Sequence, residues 1–122
     1  MTGVALAVVG SRTFSDYRLL CDTLDALHHE QPVRLVVSGG ARGADQLAER
    51  WARENELPLQ VLRPQWRDAN GKLDRSAGLK RNSDIVAVAD TVVAFWDGIS
   101  TGTRDSIRKA QACGKELRIV RF

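Results

Sequence analysis

The chain has 122 residues, 43% of them hydrophobic, which is enough for one core but too short for a nucleotide domain plus a separate substrate domain. Eighteen Lys and Arg residues against 15 Asp and Glu give a formal charge of +3, with both signs interspersed, so the mild basicity fits an anionic small ligand as well as nucleic acid. We therefore expect one domain over residues 1–122.

The cysteines and the first ten residues bear on the cellular location of the protein. Cys21 and Cys113 have no CxxC or zinc-site spacing and both fall in predicted helices, so we expect neither a disulfide framework nor a metal site. The apolar start breaks at Gly10, after too few residues for a signal peptide or a membrane span. The sequence predicts a cytoplasmic protein without membrane contact.

Short apolar runs alternate with stretches of helical periodicity. Runs rich in β-branched residues, too continuous for half-exposed strands, predict five buried parallel strands at 4–9, 34–37, 59–62, 91–96 and 117–122. Helical spacing predicts helices at 17–27, from 44 onward, at 77–89 and at 104–112. This alternation favours a single Rossmann-like, three-layer α/β domain with helices on both faces of the sheet. A strand order of 3-2-1-4-5 would place strands 1 and 4 side by side at the ligand-binding switch point.

The loop S38-G-G-A-R-G-A-D45 lies between the second strand and the second helix. Glycines let backbone N–H groups approach a phosphate, and the following helix dipole favours negative charge. Arg42 could add a bidentate contact. The alternative is that the glycines only make a tight turn and Asp45 only caps or charges the first helical turn. The candidate ligand residues here are Ser38, Gly39, Gly40, Arg42 and Gly43.

Two further glycine-containing loops follow strands 4 and 1. In D97-G-I-S-T-G-T103, Gly98 and Gly102 free the backbone, while Ser100 and Thr103 offer hydroxyl groups at a helix start. After the first strand come Gly10, Ser11 and Arg12. Because the carboxyl ends of parallel strands share one edge of a sheet, all three loops should converge there. Neither a Walker A motif nor G-x-G-x-x-G after strand 1 is present, which disfavours a P-loop kinase and an ordinary dinucleotide dehydrogenase.

Several other residues are weaker candidates. Arg81 and Asn82 on the third helix could reach the same edge, and Trp66 could either stack on a base or pack. Trp96 and Trp51 are expected to pack, Trp51 on the apolar face of the second helix. The irregular segment 64–76 is longer than a usual strand-to-helix connection and is a candidate lid.

The motifs G-S-R-T-F-x-D, V-V-S-G-G-A-R-G-A-D-x-L-A, P-x-W, N-G-K, A-G-L-K-R-N, A-D-x-V-V-A-F-W-D-G and S-x-G-T run nearly end to end. Together they resemble the SLOG superfamily, particularly its small YspA-like, YpsA-related members. This resemblance implies a Rossmannoid sheet that binds nucleotides or their derivatives, with NAD- or ADP-ribose-related ligands, and commonly a homo-oligomer, a dimer or higher. Lonely Guy phosphoribohydrolases and DprA, which processes DNA, are relatives in the superfamily.

One departure bears on catalysis. Lonely Guy enzymes carry P-G-G-x-G-T-x-x-E, whose glutamate assists N-glycosidic cleavage, whereas this chain has Asp97-Gly98-Ile99 and then Ser106 at the glutamate position. A serine cannot supply that carboxylate. We therefore expect the protein to sense or sequester a small nucleotide without an obligatory cofactor.

The alternative is a nucleotide hydrolase. In either case Asp45 or Asp97 could contact the ribose hydroxyl groups, and in a hydrolase one of them could supply the catalytic carboxylate. A second alternative is DprA-like binding of single-stranded DNA, which the dispersed basic residues disfavour, so nucleic acid is the less expected partner.

Overall fold

A computed structural model describes residues 3–122, which form five strands and four helices in strict alternation. The elements in chain order are β1 (Val4–Gly10), α1 (Tyr17–Glu30), β2 (Val33–Ser38), α2 (Ala44–Glu54), β3 (Leu59–Val61), α3 (Ala77–Val88), β4 (Thr91–Trp96), α4 (Thr101–Ala112) and β5 (Glu116–Arg121). Every predicted strand and helix is present. The clearest difference in bounds is α4, which begins three residues earlier than its periodicity indicates because its first turn is polar and carries no apolar repeat.

The sheet is wholly parallel and has the order β3-β2-β1-β4-β5, which confirms the predicted Rossmann-like arrangement. The register places Gly10 opposite Phe95, so β1 and β4 end almost level. On the other side of β1, Ala7 lies opposite Val37. The loops that leave β1, β2 and β4 therefore begin at one edge of the sheet.

Side chains of β1 alternate between two apolar layers, as the pleat of a strand requires. Leu6 and Val8 pack with α1 and α2, whereas Ala7 and Val9 pack with α3 and α4. Trp51 of α2 is only 1% exposed and donates its indole N–H to Asp25 Oδ1 at 2.9 Å. These layers confirm helices on both faces, and Trp51 has the packing role predicted for it.

The prediction that all five strands are buried is wrong for β3 and β5. Both are edge strands, so each has only one neighbouring strand, and both carry only exposed or partly covered side chains. Ile119 of β5, for example, is 43% exposed. A continuous apolar run does not show whether a strand lies at the centre or the edge of its sheet.

Local interactions fix the ends of α1. Asp16 is its N-cap and accepts a hydrogen bond from the Leu19 N–H at 3.0 Å. At the other end, His28 Nδ1 accepts from the Val33 N–H at 2.9 Å and so joins the helix to β2. None of the helices within residues 3–122 is long and apolar enough to cross a membrane.

Candidate nucleotide-binding crevice

The loops after β1 and β4 are joined by the hydroxyl group of Ser11. This oxygen accepts hydrogen bonds from the Ser100 hydroxyl at 2.9 Å and from the Asp97 N–H at 3.2 Å. The Ser11 N–H in turn donates to the Phe95 carbonyl at 2.9 Å. Ser11 is buried, and its hydroxyl group holds the two loops together.

The loop after β2 meets the loop after β1 at Gly43. This glycine has a φ of +79°, and a Cβ atom there would contact the carbonyl groups of Ser11 and Arg12. The Ala44 N–H, at the start of α2, donates to the Ser11 carbonyl at 3.4 Å. Gly43 thus permits both a left-handed backbone and the close approach that brings α2 against the first loop.

Arg12 occupies the centre of this edge, where it lines three adjoining cavities that we call the crevice. The first has a volume of about 340 Å³ and is lined by Gly10, Ser11, Arg12, Thr13, Ser100, Thr101, Gly102 and Thr103. The second, of about 390 Å³, is lined by Arg12, Gly39, Gly40, Ala41, Arg63, Pro64, Trp66, Gly78 and Arg81. A small cavity of about 70 Å³ lies between α3 and α4 and is lined by Val9, Gly10, Arg12, Ala41, Asp45, Arg81, Asn82, Ile85, Gly102, Thr103 and Ser106.

The α4 end of the crevice is a helix N-terminus with hydroxyl groups. Ser100 is the N-cap of α4, and within residues 3–122 its side chain makes no capping hydrogen bond. The first N–H groups of a helix have no partner in the helix, so those of Thr101 to Thr103 are available to an anion. Asn82 supports this turn by donating to the Gly102 carbonyl at 3.3 Å and to Asp105 at 3.1 Å.

Arg81 crosses from α3 to the β2 loop. Its Nη1 donates to the Gly39 carbonyl at 2.6 Å, and its Nε donates to Asn82 at 3.0 Å. Burial holds the pKa of Arg81 below its usual value; the carboxylate of Asp45 opposes this effect, and the positive charge of Arg12 adds to it. Arg12 and Arg81 line the same cavities, and an anion bound between their two positive charges would be stabilised.

Asp45 is the carboxylate in the wall of the crevice. It is 6% exposed and accepts from the Ala41 N–H at 3.1 Å. Burial raises its pKa from 3.8 to about 6, and the nearby Glu49 adds to the rise, whereas Ala41 and Arg81 oppose it. A buried carboxyl group that titrates near neutrality is typical of functional sites, although structural networks also produce one.

Other predicted residues lie outside this lining. Asp97 accepts from the N–H groups of Ile99 and Ser100, both at 2.8 Å, and these bonds lower its pKa to about 2. Gly98 has a φ of +86°, and a Cβ atom there would meet the Arg121 guanidinium. Arg42 is exposed and borders none of the three crevice cavities. Asp97 and Gly98 therefore shape the β4 loop, and the predicted Arg42 contact is not supported by its position.

Trp66 and Trp96, the two candidates for stacking on a base, lie in different surroundings. Trp66 is 48% exposed and borders the 390 Å³ cavity beside Gly78, where a base could stack. Trp96 instead donates its indole N–H to the Ser100 carbonyl at 3.1 Å and has the Arg121 guanidinium 5.3 Å from its ring centre. Trp96 thus has the packing role expected of it, and Trp66 keeps the stacking role as a hypothesis.

Two residues of this region, Arg63 and Glu49, were not predicted from the sequence. Arg63 follows β3 and its Nη1 donates to the Gly40 carbonyl at 3.2 Å, so the rule that strand carboxyl ends share one edge could have identified it. Glu49 is buried and accepts a hydrogen bond from the Ser38 hydroxyl at 2.6 Å. The hydroxyl oxygen of Ser38 in turn accepts from the Gly40 N–H at 3.1 Å. Ser38 and Glu49 therefore hold the β2 turn rather than face the crevice.

Among residues 3–122, no three His, Cys, Asp or Glu side chains are grouped closely enough to hold a metal ion. The polar groups that line the crevice include guanidinium, hydroxyl and backbone N–H groups and one carboxyl group. Such a set favours an anionic ligand that contains phosphate.

The chain is similar to proteins that are already known. The model of the YspA, cpYpsA-related SLOG family matches residues 4–68. The Gene 61 protein of Mycobacterium phage D29 is 42% identical to this chain in an alignment that covers 94% of this chain and 93% of that protein.

Two solved structures share the fold. DNA processing protein A (DprA) from Streptococcus pneumoniae superposes with a TM-score of 0.77 at 18% identity over 94% of this chain. DprA from Helicobacter pylori, described as having a unique single-stranded DNA binding mode, superposes with a TM-score of 0.70 at 25% identity over 97%. This chain spans 49% and 65% of those two chains. The chain belongs to the YspA, cpYpsA-related SLOG family, as its motifs predicted.

Proposed function

We propose that this protein binds a nucleotide-derived phosphate ligand of the NAD or ADP-ribose class in the crevice, and that it senses or sequesters the ligand. The observation that carries this proposal is the position of Arg12. Its exposed guanidinium group borders all three cavities, between the N-terminus of α4 and Arg81. No carboxylate of residues 3–122 forms a salt bridge with it.

The two larger cavities suit different parts of a nucleotide. The 340 Å³ cavity offers the first N–H groups of α4 and the hydroxyl group of Thr103, which can donate hydrogen bonds to a phosphate. The 390 Å³ cavity has the apolar face of Trp66 and suits a base. Both volumes lie in the range of about 300–1,000 Å³ that small-molecule sites occupy.

Binding of the ligand can be measured by calorimetry with AMP, ADP-ribose and NAD. Arg12→Ala should weaken each affinity by about tenfold or more, because a charge-assisted contact to phosphate is lost. The control is Arg108→Ala, an exposed arginine in the middle of α4 that borders none of the crevice cavities. Equal affinities in wild type and Arg12→Ala would refute the assignment of phosphate to this position.

Hydrolysis is supported by one observation, the buried carboxyl group of Asp45 in the crevice wall. Against it, Ser106 also lines the small cavity at the position where Lonely Guy enzymes have their glutamate. Chromatography of each nucleotide after long incubation separates the two functions. Intact ligands support binding alone, whereas release of base or ribose phosphate that Asp45→Asn abolishes would establish a hydrolase.

Single-stranded DNA is the second candidate. The similarity to Helicobacter pylori DprA favours it, since that protein is described as binding single-stranded DNA and matches over 97% of this chain. Binding of DNA predicts an oligonucleotide affinity that falls steeply with salt, by a slope of about −0.7 for each phosphate neutralised. A flat salt dependence would exclude it.

A cytoplasmic location and a dimer or larger homo-oligomer remain predictions, which cell fractionation and light scattering test.

A further inference from the structure

A larger cavity lies next to the crevice, and we call it the α3 chamber. Its volume is about 810 Å³, and its walls come from the 61–69 segment, Asp74 and one side of α3 from Ala77 to Asp84. Arg63 and Arg81 line both this chamber and the cavity of Trp66. These two arginines therefore form the boundary between the chamber and the proposed nucleotide site.

Three arginines of the chamber donate hydrogen bonds to backbone carbonyl groups. Arg63, Arg67 and Arg81 each donate through Nη1 to a backbone carbonyl, of Gly40 at 3.2 Å, Gly71 at 3.1 Å and Gly39 at 2.6 Å respectively. No carboxylate in the described part of the chain lies within salt-bridge distance of these three side chains. A guanidinium group has five donors, so each retains the capacity to bind an anion.

The acidic residues of the chamber wall are engaged elsewhere or exposed. Asp74 pairs with Lys80 at 2.7 Å and accepts from Ser76, while Asp68 accepts from the N–H groups of Asn70 and Lys72, both at 2.9 Å. Asp84 is exposed on α3 and forms no salt bridge among residues 3–122. Asp68 and Asp74 therefore stabilise their own turns, and the three arginines outnumber the one remaining carboxylate, Asp84.

From this arrangement we infer that the α3 chamber is a second anionic subsite, and that the ligand carries a second phosphate-linked nucleoside unit. The first nucleotide occupies the crevice, and the linkage passes Arg63 and Arg81 into the chamber, where Arg67 contacts it. This inference rests on the proposed function and specifies its ligand class. The linkage can be a pyrophosphate, as in NAD, or a phosphodiester, as in a dinucleotide of DNA, because the arginines recognise the phosphate oxygens that both share.

Arg67 provides the test because it lines the chamber and none of the crevice cavities. Calorimetry measures the affinity of AMP, NAD and the 5′-phosphorylated dinucleotide pdApdA for each variant. In wild type, at least one of the two-unit ligands should bind about tenfold more tightly than AMP, as expected for one added charge-assisted contact. Arg67→Ala should abolish that gain and leave the AMP affinity unchanged.

Arg75→Ala is the matched control, because Arg75 is an exposed arginine of the same segment that does not line the chamber. It should keep the full gain, and thermal melting of each variant verifies that it is folded. Which two-unit ligand shows the gain identifies the linkage. Wild type without any gain, or Arg67→Ala with the full gain, would overturn the second subsite while AMP binding that depends on Arg12 still stands. Absence of Arg12-dependent binding of every ligand would instead overturn both proposals.

Discussion

The raised pKa of Asp45 predicts that this one carboxyl group reduces stability at neutral pH. Its pKa rises from 3.8 to about 6 in the folded protein, mainly through burial. The folded state therefore holds the Asp45 proton more tightly than the unfolded state does. Between these two pKa values the folded state binds more protons, so the contribution of Asp45 to the free energy of unfolding falls as pH rises from about 4 to about 6.

The size of this effect follows from linkage. At pH 4.5 the folded carboxyl group is protonated, while the unfolded one is already largely ionised, which costs about 1 kcal/mol. At pH 7.5 both states are ionised and the cost reaches about 3 kcal/mol. Asp45→Asn has no proton to release there, so its stability relative to wild type should increase by about 2 kcal/mol between pH 4.5 and pH 7.5.

Urea denaturation of both proteins at pH 4.5, 5.5, 6.5 and 7.5 measures this difference. Asp74 and Asp97, whose pKa values are lowered to about 2, affect both proteins equally and therefore cancel in the comparison. Asparagine keeps an oxygen that can accept from the Ala41 N–H, so the turn itself is retained. Parallel stability curves for the two proteins over this pH range would refute a raised Asp45 pKa.

The remaining predictions concern backbone strain and core packing. Gly43→Ala should lower the free energy of unfolding by at least about 1 kcal/mol more than Gly71→Ala. Both glycines have a φ of +79°, but only at Gly43 would a Cβ atom meet neighbouring backbone. Equal losses of stability in urea denaturation would contradict this reason. Trp51→Ala should cost about 3–5 kcal/mol through loss of core packing. The half-exposed Trp66 is the control, and a loss above about 1 kcal/mol for Trp66→Ala would indicate a structural role.

Much of the site was predictable because its parts follow from local sequence and a general rule of topology. The periodicity identified each element, and the shared edge of a parallel sheet brought the loops of Gly10, Gly43 and Ser100 together. The rule locates the ends of strands but not the directions of side chains. Arg42 was predicted to contact the ligand but borders none of the crevice cavities, whereas Arg63, which follows a short edge strand, lines the crevice.

The sequence by itself determined the alternation of strands and helices, the glycines at the turns and the family, because these depend on residue types at fixed spacing. Tertiary structure decided which strands are edges, how Asp45 comes to titrate near pH 6 and that Arg67 faces a chamber beside the crevice. Burial and electrostatic fields are sums over neighbours from distant parts of the chain. For Asp45, burial raises the pKa and the charge of Arg81 opposes the rise. Arg81 reaches this position only because α3 packs beside the β2 loop, the arrangement that also forms the crevice.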